Sequence, residues 1–255
     1  MLNSPKARSL SCCLERRKAE NDLAKGHVIM EMGMSQELEE LPLFPLSTVL
    51  FPYATVQLHI FEDRYRQLVR DCMEYDTSFG IVLIRAGQEV GGDAEPYMVG
   101  TGVRIKRVHT YDDGRMDIEV QGERRFRIRR FDETKPYLVG FVEPVVEMEV
   151  EDSPRADALV MKAREDFELW IQRLISRQDF NVQVKFPDDK VALSFAIANL
   201  LPIENLEKQR LLETTDTLER IQGLIPILEE QIVATKKPSY FKLRAEDLQD
   251  WITPN

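Results

Sequence analysis

At 255 residues, with 43% hydrophobic and 31% charged residues, the chain has the make-up of a globular protein of one large or two small domains. Its formal net charge of -10 argues against a surface built to attract phosphates, which makes nucleic acid a minority expectation. No stretch approaches the roughly 18 to 20 apolar residues that span a bilayer, and the first twenty residues lack the apolar core of about 7 to 15 residues of a signal peptide, so a cytoplasmic protein with no membrane association is expected.

Residues 1–36 are polar, charged and without periodicity, which predicts a disordered extension. Met34 opens the stretch that leads into the fold, so the native start is expected at or near it; an intact mass that includes residues 1–33 would refute this. Residues 37–150 read mainly as strand. The pairs Phe44-Pro45 and Phe51-Pro52 force extended backbone at each Phe, because the proline ring excludes the helical region for the residue before it. Val56, Leu58 and Ile60 then alternate with Gln57 and His59, the period of a strand with one buried face. From Glu62 the period changes, and Tyr65, Leu68, Val69 and Cys72 fall on one face of a helix.

Phe79 to Ile84 is a short apolar strand that ends before Gly87, Gly91 and Gly92, a loop signal. Val99 to Val108 and Met116 to Val120 form a hairpin through Asp113-Gly114, where both turn positions tolerate positive φ. Phe126 and Ile128, Leu138 to Val142, and Val145 to Val150 continue the strand pattern. Several short strands with one early helix predict a small twisted sheet or partly closed barrel.

Composition shifts at Glu151-Asp152-Ser153-Pro154, a favourable helix start, and residues 154–235 predict a helical bundle. Leu159, Ala163, Phe167, Trp170, Ile171, Leu174 and Ile175 trace one face of a long helix. Lys190 to Leu201 is apolar nearly all round and is expected at the bundle centre; helices over Ile203 to Glu213 and Asp216 to Ile232 follow. Gly223 and Pro226 predict a kink or break in the last of these. The tail, residues 236–255, either folds back or stays free. The fold class is therefore α+β, with a β-rich part followed by a helical bundle.

These segments resemble a known family. The run PLFPL at Pro42 to Leu46, IFEDRY at Ile60 to Tyr65, Phe79-Gly80, Gly100 to Val103, Asp113-Gly114-Arg115, Gly122 with Arg125-Phe126, SFAIANLL at Ser194 to Leu201 and EKQRLLE at Glu207 to Glu213 are together similar to the N-terminal, substrate-binding domain of Lon proteases. That domain also occurs free-standing and within cereblon. The resemblance implies a PUA-like β-rich part, a stand-alone member of the family, and binding of unfolded polypeptide segments or a protein partner in protein quality control. It does not imply catalysis: no GxxxxGK[ST] loop occurs, no glycine-flanked serine resembles a nucleophile, and the cysteines of a zinc domain are missing.

Three constellations are candidates for function. The apolar set Leu43, Phe44, Phe51, Tyr53 and Phe61 is mostly core by composition, with a fraction lining a groove between strands and bundle where an extended peptide docks. Arg124, Arg125, Arg127 and Arg129 make a basic strand that an RNA-binding reading would use; the alternative is a solvated face paired with Asp112, Asp113, Asp117, Glu119 and Glu123. Glu62-Asp63-Arg64 is expected to cap the early helix. A small-ligand pocket near His59 and Tyr65 is a third reading of the function. Cys72 sits on the core face of its helix, Cys12 and Cys13 are adjacent, and His27, His59 and His109 are scattered, so no disulfide framework, metal or cofactor is expected.

Overall fold

The computed structural model describes residues 38–91, 94–150, 153–175, 183–184, 186–235 and 252–253. The expected extension over 1–36, the start at Met34 and the tail lie outside these residues, apart from β9 (Ile252–Thr253), which pairs antiparallel with β8 (Gln183–Val184).

The first part of the chain supplies β1 (Glu39–Leu46), β2 (Thr55–Ile60), α1 (Asp63–Tyr75), β3 (Phe79–Ala86), β4 (Glu95–Pro96), β5 (Val99–Thr110), β6 (Met116–Asp132) and β7 (Val139–Pro144). Strand order is β1-β7-β6-β5-β3-β4, and a parallel pairing of Leu43–Leu46 with Gly80–Leu83 joins β1 back to β3, closing five strands into a ring. Strand β2 lies off that ring and, among the described residues, pairs with β6 alone, from Thr55↔Gln121 to Ile60↔Met116. The two prolines of β1 suit this layout. Leu43 N–H donates to Leu138 O at 2.8 Å, and Pro45, beyond the reach of β7, has no N–H that needs a partner.

Phe126 fills the ring between Leu41, Leu43, Val82, Ile128 and Val142. Its Cζ lies 2.5 Å from where a Cβ on Gly80 would stand, so only glycine permits this approach. A second cluster packs α1 onto the sheet, with Tyr65, Leu68, Val69 and Cys72 buried as their spacing predicts. Burial pushes the Cys72 thiol up to about 11, which makes it an inert core side chain.

The β5–β6 hairpin turns at Gly114, with φ of 83°. Strand β6 is longer than its sequence pattern, because a bulge bridges the interruption: Gly102 pairs with Arg124 and Val103 with Gly122, leaving Glu123 as the extra residue. Residues 145–150, expected as a strand, form none.

The second part comprises α2 (Pro154–Ile175), α3 (Lys190–Leu200), α4 (Asn205–Glu213) and α5 (Thr217–Ala234). Asp189 caps α3 by accepting from Ala192 N–H, and Asp216 caps α5 by accepting from Leu218 and Glu219 N–H. Helix α5 continues through Gly223 and Pro226, which rules out a break there. Its stripe Ile221, Leu224, Leu228 and Ile232 is buried, while Pro226 and Gln222, whose carbonyl loses its donor, are exposed, so water takes the freed acceptor.

Val49, Phe51, Leu83 and Val99 join α2, α3, α4 and α5 in one core across the junction between strands and bundle. A buried knot of charge crosses the same junction. The guanidinium of Arg125 (β6) donates to Leu212 O at 2.5 Å, to Thr214 O at 2.7 Å and to the Glu147 carboxylate. That of Arg220 (α5) donates to Ser194 Oγ at 2.9 Å, to Thr214 O at 2.6 Å and to the other Glu147 oxygen at 3.1 Å. Both lie over the Phe195 ring, and burial lowers both pKa values, that of Arg125 to about 10. Residues 145–150 thus serve as the carrier of Glu147.

Candidate functional site

A cleft of about 140 Å³ opens beside β2. Its apolar floor comes from Phe44 and Leu46 of β1, Ile60 of β2 and Tyr65 of α1, all buried. The Phe44 and Tyr65 rings stack at 4.1 Å, Arg64 lies over the Tyr65 ring, and burial pushes the Tyr65 hydroxyl up to about 12. Phe61 and Val90 stand at the mouth, 48% and 54% exposed. Exposed large apolar side chains over an apolar cleft mark a place for a partner.

The lip of the cleft is the loop that bears Val90, and polar contacts tie it down on both sides. Glu89 accepts from Ser47 N–H at 2.8 Å and from the Ser47 hydroxyl. Gly91 N–H donates to Glu62 at 3.2 Å, and Arg64 donates both to Glu62 and to Glu89 O. Glu62 stands at the N-cap position of α1 yet makes no side-chain cap bond, and its carboxylate holds the loop instead, while Asp63 supplies the acid of the first helical turn. On the other flank, His59 stacks on Phe61 at 6.1 Å and places Nδ1 2.6 Å from Asp117 Oδ1. The Tyr111 hydroxyl donates to the second carboxylate oxygen; this bond, then that of His59, holds the Asp117 carboxyl below the usual range.

The five apolar candidates do not form one surface. Leu43 and Phe51 are fully buried, Leu43 in the ring and Phe51 in the core shared with the helices. Phe44 contributes to the cleft floor and Phe61 to its mouth. Tyr53 is exposed with φ of 69°, and Asp189 and Glu147 are among the groups that raise its pKa after burial, which places it on the side of the helices.

The arginine row is not a free positive face. Arg124 pairs with Glu39, Arg129 with Glu143, and Arg125 is buried in the knot, where it cannot meet a phosphate. These acids are not the neighbours that the sequence suggested, because the bulge at Glu123 shifts the alternation and the helices cover position 125. Among the described residues no group of His, Cys, Asp and Glu is arranged to hold a metal, and no helix is long and apolar enough to cross a membrane. The lip residues Glu89 and Val90 escaped sequence reasoning; the glycines that flank them marked a loop but not its anchors.

A closed β ring with a helical bundle and an apolar cleft beside an edge strand describes a binding domain. Residues 40–230 match the family model described as the ATP-dependent protease La (LON) substrate-binding domain, and the chain belongs to that family. It is 28% identical over 221 residues to Lon protease of Desulfovibrio desulfuricans, covering 84% of this chain and 25% of that protein. To Lon protease 2 of Herpetosiphon aurantiacus it is 30% identical over 198 residues, covering 76% and 24%. The chain thus spans about a quarter of the length of these relatives. Among solved structures, it resembles a Lon N-terminal domain protein from Xanthomonas campestris (31% identity, TM-score 0.54, covering 74% of this chain and 98% of that one). The N-terminal domain of a Mycobacterium avium complex Lon protease shares the fold at 21% identity and TM-score 0.56, over 75% and 99%.

Proposed function

We propose that this protein binds exposed segments of unfolded polypeptides, without catalysing a reaction on them, in the service of cytoplasmic protein quality control. The observation that carries the reading is the apolar cleft with Phe61 and Val90 at its mouth, in a chain whose family model is described as a substrate-binding domain. The size of the cleft supports a side chain over a metabolite. Small-molecule pockets run to roughly 300–1,000 Å³, whereas a cavity of about 150 Å³ takes one benzene-sized group. Binding would bury Phe61 together with one apolar side chain of the partner at a time, an arrangement suited to many sequences with modest affinity.

The test is fluorescence anisotropy of labelled, reduced and carbamidomethylated lysozyme titrated with this protein. Saturable binding that Phe61→Asp and Val90→Asp each weaken by about tenfold or more, as loss of a central apolar anchor does, supports the proposal. Binding indifferent to both substitutions, or none, refutes it.

A further inference from the structure

Consecutive residues of β2, from Gln57 through Ile60, line the cleft and Phe61 follows them. A pocket on the face of a strand meets alternate residues only, since successive side chains point to opposite faces. A pocket met by every residue in turn lies along the strand's edge.

That edge is the unpaired one. Gly122 N–H donates to Ala54 O at 2.9 Å, and Tyr111 N–H donates to Arg115 O at 2.9 Å. Along β6, therefore, Met116, Ile118 and Val120 turn their main-chain groups to β2, while Asp117 and Glu119 turn theirs to β5. On β2 the matching groups of Val56, Leu58 and Ile60 are taken up by β6. The N–H and C=O of Gln57 and His59 point the other way, along the cleft, with no backbone partner among the described residues.

From this geometry, and resting on the peptide-binding reading above, we infer that the cleft captures its ligand by strand addition. An extended segment pairs its main chain with Gln57 and His59 and sets every second side chain into the cleft. The charge around the cleft selects the rest of the segment. Among the described residues that line the cleft the charged ones are Glu62 and Glu89, and Asp117 stands next to it at His59, while Arg64 meets Glu62 and the Glu89 carbonyl. The occupant is an unfolded stretch in which apolar residues alternate with lysine or arginine, and acidic residues are rejected.

The experiment uses a short labelled peptide of alternating leucine and lysine, and two forms of it N-methylated either on every leucine or on every lysine. Strand addition places the amides of only one set against β2. One methylated form then binds about tenfold or more weakly, for loss of several main-chain hydrogen bonds, and the other stays close to the parent. Equal binding by both forms overturns strand addition while leaving peptide binding intact; no binding even by the parent peptide overturns the peptide-binding reading itself. Replacing lysine by glutamate abolishes binding, and retained affinity there overturns the charge selection. Gln57→Pro removes one donor from the free edge without touching the ladder to β6, since edge strands accept proline there. It is expected to weaken binding severalfold at an unchanged melting temperature; the methylated peptides test the same point on the unaltered protein.

Discussion

Glu147→Gln removes the one carboxylate that, among the described residues, the buried guanidinium groups of Arg125 and Arg220 share. Both arginine side chains are essentially inaccessible to solvent, whereas Glu147 is 25% exposed. Removing one partner of a buried pair costs about 3–5 kcal/mol, because the remaining charge is stranded. The partial exposure of Glu147 and the carbonyls that both arginines also meet place the effect near the lower end, about 3 kcal/mol. With a urea slope of about 2 kcal/mol per molar, the unfolding midpoint moves down by about 1.5 M. Circular dichroism during urea titration reads this directly. The same buried geometry makes a further demand: replacing Glu147, Arg125 and Arg220 together by methionine restores much of the loss, since an apolar substitute for a buried ionic cluster is often neutral or better. A midpoint for Glu147→Gln within the error of the parent would refute the view that this knot fastens the helices to the strands.

Gly223 lies in α5 with open space where a Cβ would go, so Gly223→Ala raises stability by about 1 kcal/mol, read by thermal unfolding. Gly80→Val drives a branched side chain into the Phe126 ring and yields a protein that melts well below the parent or fails to fold. Burial raises the pKa of Cys72 to about 11 and of Tyr65 to about 12, so their contribution is complete below the unfolded values of 9.0 and 10.0 and is lost as pH rises through the folded ones. Urea titrations at stepped alkaline pH are expected to show stability falling from pH 9.0 upward, less steeply in Cys72→Ala. Hydrogen bonds from Tyr111 and His59 depress the Asp117 carboxyl, so its contribution holds above the ordinary carboxylate pKa and disappears as pH falls through the depressed one; Asp117→Asn flattens that acid limb.

The features legible in the sequence were local ones. Periodicity gave α1, whose four spaced apolar residues are all buried, and the Asp-Gly turn gave the β5–β6 hairpin. The all-round apolar run at Lys190 announced the buried α3. Long-range pairings were not legible. Nothing near Arg125 in sequence points to Glu147 or to the carbonyls of Leu212 and Thr214, which bury it beneath the helices while Arg124 and Arg129 stay exposed. Of the kink or break expected at Pro226, the break is absent, because a buried stripe outweighs one lost hydrogen bond on an exposed face. Of the cleft, Phe44, His59, Phe61 and Tyr65 are legible in the sequence, whereas its lip depends on Glu89 reaching Ser47, 42 residues away.

Hydrogen–deuterium exchange with and without saturating reduced, carbamidomethylated lysozyme reads where a polypeptide meets this protein. Slowed exchange is expected at the amides of Gln57 and His59 and in the lip at Glu89 and Val90, with β6 from Arg124 to Arg129 unchanged. Protection confined to that arginine strand or to the helices, with the β2 edge unaltered, would contradict binding at the cleft.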